Sequence, residues 1–79
     1  MQTTEIYEKL TDVFHDVFDD DAIQLHPELT AHQVDGWDSL SHIRLMVTAE
    51  KVFHVKFSAA EISRLKNVGD FVNLIQAKT

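Results

Sequence analysis

The sequence predicts an all-α domain, a four-helix bundle in which the third helix is short and a long loop separates the first two. Three observations carry this expectation. Only two glycines and one proline occur among 79 residues, too few for the tight turns that an all-β chain needs. Apolar residues recur at helical spacing in separate runs. A serine, aspartate or asparagine stands just ahead of three of these runs, where helix N-caps belong. A chain of this length forms one domain, residues 1–79, of a size at which a single core just suffices.

The first run, TEIYEKLTDVFHDVF at 4–18, sets Ile6, Leu10, Val13, Phe14 and Val17 on one face, with Glu5, Glu8, Lys9, Asp12 and Asp16 between them. Thr3 or Thr4 is expected to cap it, and Glu5 suits the positive end of its dipole. DDDAIQLHPELTAHQVDGW at 19–37 has no sustained period and only scattered apolar anchors, Ile23, Leu25, Leu29 and Val34. A connection this long tends to be functional. Its three aspartates lack the alternating oxygen ligands and central glycine of a calcium loop, so they read as a solvated helix end.

Asp38 is the expected N-cap of a second helix over 39–53. SAAE at 58–61 matches a capping box, Ser58 with Glu61, opening a short helix over residues 59–65. Asn67 caps the last helix, in which Val68, Phe71, Val72 and Ile75 form the apolar face and Gly69, near the start, costs little. Tyr7, Phe14, Met46, Phe53, Phe57 and Phe71 supply the bulk of a modest core.

The second helix carries more apolar surface than one face needs. Leu45, Met46, Ala49, Val52 and Phe53 fall on one side, while Leu40, Ile43 and Val47 fall nearly opposite. Ser41, Arg44, Thr48 and Lys51 fill one wedge between the stripes, and Glu50 borders the other. The second stripe is either core beneath the long loop or a docking surface facing water beside Ser39.

Composition narrows the function. The net charge of -6 and a pI near 5.1 argue against nucleic acid and anionic membranes and suit basic protein partners. With no cysteine there is no disulfide and no thiolate metal site. The five histidines form no i, i+4 pair or finger pattern, so no zinc site is expected. No basic-apolar leader and no long apolar run occur. The expectation is a free-standing, monomeric, cytoplasmic protein.

Ser39, between Asp38 and Leu40, admits three roles. It can be an ordinary first-turn serine. As a hydrolytic nucleophile it would need a base and an oxyanion site. GWDSL is not the G-x-S-x-G elbow, however, and His42 shares its helix face only roughly. Or it can be modified, because a phosphate ester at a helix N-terminus meets free N–H groups and a favourable dipole, against the opposing charges of Asp35 and Asp38.

GWDSLSHIRL, AEKVFHVKFSAAEI and NVGDFVNLI, spanning Val34 to Ile75, resemble the acyl carrier protein family. Asp38, Ser39 and Leu40 match the D-S-L motif that opens the family's second helix. The resemblance implies a carrier and not an enzyme, with a 4′-phosphopantetheine arm on Ser39, transferred from coenzyme A by a phosphopantetheinyl transferase. It implies that Asp38 presents the serine to that transferase. Leu40, Ile43 and Val47 would contact acyl-loading, condensing or acyl-transfer enzymes. The charges around them, Asp35, Asp38, Arg44, Glu50 and Lys51, would choose among partners. Arg44 and Lys51 interrupt the acidic face usual in fatty-acid carriers. Together with Trp37 they resemble carriers of specialised acyl or aminoacyl pathways, such as polyketide assembly. An arm-free adaptor of the same fold is the alternative from a different functional class.

Overall fold

The computed structural model describes residues 1–79 and contains four α-helices and no strand. They are α1 (Thr3–Phe18), α2 (Ser39–Phe53), α3 (Ala59–Ser63) and α4 (Val68–Lys78). The first helix buries the five residues its spacing marks, Ile6, Leu10, Val13, Phe14 and Val17. It starts one residue earlier than expected, because Gln2 is the residue with extended backbone. Neither threonine is therefore the cap. The Thr3 hydroxyl instead accepts a hydrogen bond from Gln76 Nε2 at 3.2 Å, tying the start of α1 to α4. Asp19 ends the helix in the left-handed region at φ 50°, which aspartate tolerates better than most residues.

The connection between α1 and α2 is anchored along its length. His15 Nε2 donates to the Ile23 carbonyl at 2.9 Å, and Leu29 and Val34 are buried. A 3₁₀ turn, Ala31–Gln33, interrupts the loop, with Gln33 Oε1 accepting from the Thr30 N–H at 3.0 Å. The carbonyls of Leu29 and Pro27 then accept from the N–H groups of Val68 and Gly69, each at 2.9 Å. These are N–H groups in the first turn of α4, which a helix cannot satisfy internally. A Cβ on Gly69 would lie 3.1 Å from both Cβ and O of Pro27. Glycine there is thus what allows the loop to approach, beyond being inexpensive near a helix start.

The remaining caps form as expected. Asn67 Oδ1 accepts from the Asp70 N–H at 2.8 Å, and Ser58 and Glu61 exchange both bonds of the capping box. The third helix is shorter than the expected 59–65: the N–H of Leu65 bonds the Ile62 carbonyl three residues back, so the chain tightens after Ser63.

Helix α1 packs against α2 and α4, and every buried residue is apolar. Leu45, Met46, Ala49 and Phe53 form the inner face of α2, but Val52 does not join them and remains exposed. It lies beside Lys9, Asp12 and Asp16 of α1 in an open groove at the edge of the helix pair. A one-helix wheel cannot see this, since it places Val52 at the margin of the stripe without knowing where α1 ends. Tyr7 is only half-buried, whereas Phe14, Met46, Phe53, Phe57 and Phe71 lie in the core.

Candidate functional site

The loop reaches α2 through Gly36, whose φ of 85° favours glycine. Trp37 then turns inward, and its N–H donates to the Val34 carbonyl at 3.3 Å. Asp38 has extended backbone. Its Oδ1 accepts from the Ser41 N–H at 2.9 Å, while its carbonyl accepts from the His42 N–H at 2.9 Å. The Ser41 backbone N–H and then its hydroxyl hold the Asp38 carboxyl below the ordinary carboxylate range.

This cap places Ser39 at the first position of a fifteen-residue helix. The Ser39 side chain is exposed, and its hydroxyl makes no hydrogen bond within the protein. The N–H groups of Ser39 and Leu40 have no backbone acceptor, the Leu40 N–H lying toward the Asp38 carboxylate. The helix dipole favours negative charge here, against the charges of Asp35 and Asp38. A reachable oxygen at such a position suits esterification by phosphate. With no base in hydrogen-bond reach of the hydroxyl, the arrangement lacks the dyad that serine hydrolysis requires.

His42, the nearest imidazole in sequence, is turned to another task. Trp37 Nε1 donates to His42 Nδ1 at 3.0 Å, with the rings stacked at 20° and centroids 6.1 Å apart. The acceptor role fixes Nδ1 as the unprotonated nitrogen, and burial lowers the His42 pKa. Trp37 also meets Phe14 edge-on with centroids 5.3 Å apart and Phe18 at 5.9 Å. No spacing rule links a tryptophan to a histidine five residues later, so the pair is visible only in the fold. Behind it lies a cavity of about 60 Å³ bounded by Trp37, His42, Met46, Leu65 and Phe71.

The second apolar stripe of α2 faces solvent. Leu40 is 69% exposed, Ile43 60% and Val47 43%. The long loop bonds to the first turn of α4 and leaves these residues uncovered, which decides between the two readings of the stripe. Arg44, Lys51 and Asp35 are exposed nearby, and Asp38 stands at the same end. Arg44 and Lys51 against Glu50 leave α2 one surplus positive charge. Glu50 differs from Asp35, Asp38, Arg44 and Lys51 in being half-buried, with Oε2 accepting from the Phe57 N–H at 2.8 Å. Sequence spacing shows it only as a surface acid. No three His, Asp or Glu side chains are grouped to hold a metal ion, and no helix is long and apolar enough to cross a membrane.

The family described as "Phosphopantetheine attachment site" matches residues 8–75. An acyl carrier protein of Clostridium acetobutylicum is 31% identical over 74 residues, covering 94% of this chain and 96% of that protein. The solution structure of a holo acyl carrier protein from Geobacter metallireducens superposes with a TM-score of 0.87 at 46% identity. The match covers 91% of this chain and 83% of that one.

Proposed function

Because the chain belongs to the acyl carrier protein family, whose members are carriers rather than catalysts and bear phosphopantetheine, we propose that Ser39 is its attachment point. The carrying observation is the free, exposed Ser39 hydroxyl at the N-terminus of α2, within the D-S-L match. That end of the helix fits a phosphodiester, since first-turn N–H groups without a backbone acceptor and the dipole favour its charge, with Asp35 and Asp38 opposing. When bound, the group supplies the thiol that a chain without cysteine lacks, allowing acyl groups to be held as thioesters. In the loading reaction Ser39 Oγ loses its proton, bonds to the pantetheine-bearing phosphorus of coenzyme A and releases adenosine 3′,5′-bisphosphate.

Asp38 fixes the backbone that presents Ser39 and offers a phosphopantetheinyl transferase a carboxylate held ionised by Ser41. Leu40, Ile43 and Val47 form an apolar ridge for the transferase and for acyl-loading, condensing or acyl-transfer enzymes. Arg44 and Lys51 beside that ridge select partners with acidic groups there, as does Asp35 for basic ones. Glu50 contributes chiefly through the structure that supports the ridge. This charge pattern favours a specialised pathway over the housekeeping fatty-acid one. We place the exchange in the cytoplasm, alongside the coenzyme A that supplies the arm.

The test is intact mass after incubation of the apo-protein with coenzyme A and a broad-specificity transferase. One phosphopantetheine adduct is expected, and none on Ser39→Ala. An adduct that survives this substitution would place the arm elsewhere. A protein that stays unmodified both in its native cell and with the transferase would leave the ridge to an arm-free adaptor.

A further inference from the structure

Val52 belongs by spacing to the inner stripe of α2, yet the core leaves it 36% exposed. With Val13 and Thr48 it lines a groove between α1 and α2, walled on the α1 side by Lys9, Asp12 and Asp16. The Thr48 hydroxyl is spent on the Arg44 carbonyl at 2.8 Å, so this stretch offers apolar contact rather than hydrogen bonds. Glu5, Lys9, Asp12 and Asp16 recur at i, i+4, i+7 and i+11, one stripe of α1. All four are exposed, and the three ion pairs of the protein lie elsewhere. The wall therefore keeps a net negative charge.

The whole molecule is polarised in the same sense. Residues 1–38 hold ten acidic side chains and one basic, residues 39–79 three and six. The net charge of -6 is thus -9 in the first part and +3 in the second. A basic partner is drawn to α1 rather than to α2. A second copy fits poorly, since a two-fold dimer would set groove against groove and fill neither.

The groove is also separate from the ridge. At about 100° per residue, Val52 points at least about 120° away from Leu40, Ile43 and Val47. It lies about 20 Å along α2 from Ser39.

We propose that the α1–α2 groove is a second docking surface, taking an amphipathic helix of a partner protein. That helix sets Leu, Ile or Val against Val52 and Lys or Arg against Asp12 and Asp16. It holds the carrier by its flank and leaves the ridge and Ser39 open to another enzyme. This goes beyond the arm at Ser39 and does not depend on it.

The apo-protein is titrated at physiological salt, where charges more than about 8 Å apart are largely screened. The probes are a helical peptide of leucine and lysine with one apolar stripe and its leucine–glutamate counterpart. Only the lysine peptide should bind, moving the methyl resonances of Val13, Thr48 and Val52 and leaving those of Leu40, Ile43 and Val47 in place. Val52→Asn, and separately Asp12→Asn with Asp16→Asn, should weaken binding about tenfold. Ile43→Ala should not, nor should Asp19→Asn with Asp20→Asn, which removes the same charge outside the groove. Failure of the lysine peptide to bind overturns the proposal, as do shifts confined to the ridge. Equal weakening by the two charge pairs reduces the effect to general attraction and overturns it too. Groove shifts on concentrating the protein alone would give the surface to a second copy instead.

Discussion

The carboxylate of Glu50, late in α2, accepts a hydrogen bond from the backbone N–H of Phe57 at 2.8 Å, across the turn that leads to α3. Phe57 is itself a core residue, so the bond holds the path of the chain where it re-enters the interior. His54, in the left-handed region at φ 57°, makes the turn tight enough for the two to meet.

Glu50→Ala leaves a half-buried N–H without an acceptor and should cost about 1–3 kcal/mol, read by urea denaturation. Glu50→Gln keeps an acceptor and should recover most of the loss. If Glu50→Ala is as stable as the parent, the bond is ornamental. If Glu50→Gln is stable yet weakens partner binding, the charge serves docking as well.

Leu40→Ala, Ile43→Ala and Val47→Ala remove side chains that water already reaches, so each should change stability by no more than about 0.5 kcal/mol. Their effect should fall on association: slower arm transfer and weaker binding to acyl-handling enzymes, measured by titration against the transferase. A large drop in thermal midpoint for Ile43→Ala would mean the ridge is packed in solution.

Gly69→Ala sets two effects against each other. Alanine gains less than the roughly 1 kcal/mol that glycine costs in a helix interior, because position 69 lies in the first turn of α4. Its Cβ would press within 3.1 Å of Pro27 Cβ and of a Pro27 oxygen already bonded to the Gly69 N–H. Overpacking of this kind costs about 1–3 kcal/mol. A net loss of roughly 1 kcal/mol is expected by chemical denaturation, and a stabilised variant would show that the loop yields freely.

Acid should act in two stages. Burial lowers the His42 pKa, so the unfolded chain binds the proton more readily. The stability this gives is complete above the ordinary imidazole value of about 6.5. It is lost as pH falls through the depressed native value, where a protonated Nδ1 can no longer accept from Trp37. Asp38, held down by Ser41, and Glu61, held down by the Ser58 N–H and then by Lys78, contribute above the carboxylate range near 4 and fail below it. The Trp37 indole N–H resonance should shift at the first stage, with thermal midpoints falling further at the second. A midpoint for the indole shift above the ordinary imidazole value would contradict this order.

What could be read from residue order was local. Asp38, Ser58 and Asn67 announce helix starts because each cap bonds an N–H three residues on, within the same few letters. The helical face of α1 was legible for the same reason. Ser39 stood out through its motif and its place behind a cap. Hidden from the sequence were the relations that cross between elements. Thr3 meeting Gln76, Val52 left at an open edge, Glu50 reaching Phe57 and Trp37 seated against His42 each depend on distances that no spacing encodes. The 3₁₀ turn lay between. Thr30 and Gln33 carry a capping pattern, but with no apolar period behind it the pattern does not stand out.

The bonds from Val68 and Gly69 to Leu29 and Pro27 make the long connection part of the last helix's own beginning. Amide exchange at those two positions therefore monitors the strap over them, and a protease that nicks the strap would also fray α4 from its first turn. Because the strap ends at Trp37, loosening it at Pro27 would be felt ten residues further along the chain, at the threshold of the serine itself. In this fold, the stretch with least regular structure is what ties the C-terminal helix to the doorway through which cargo would be handed over.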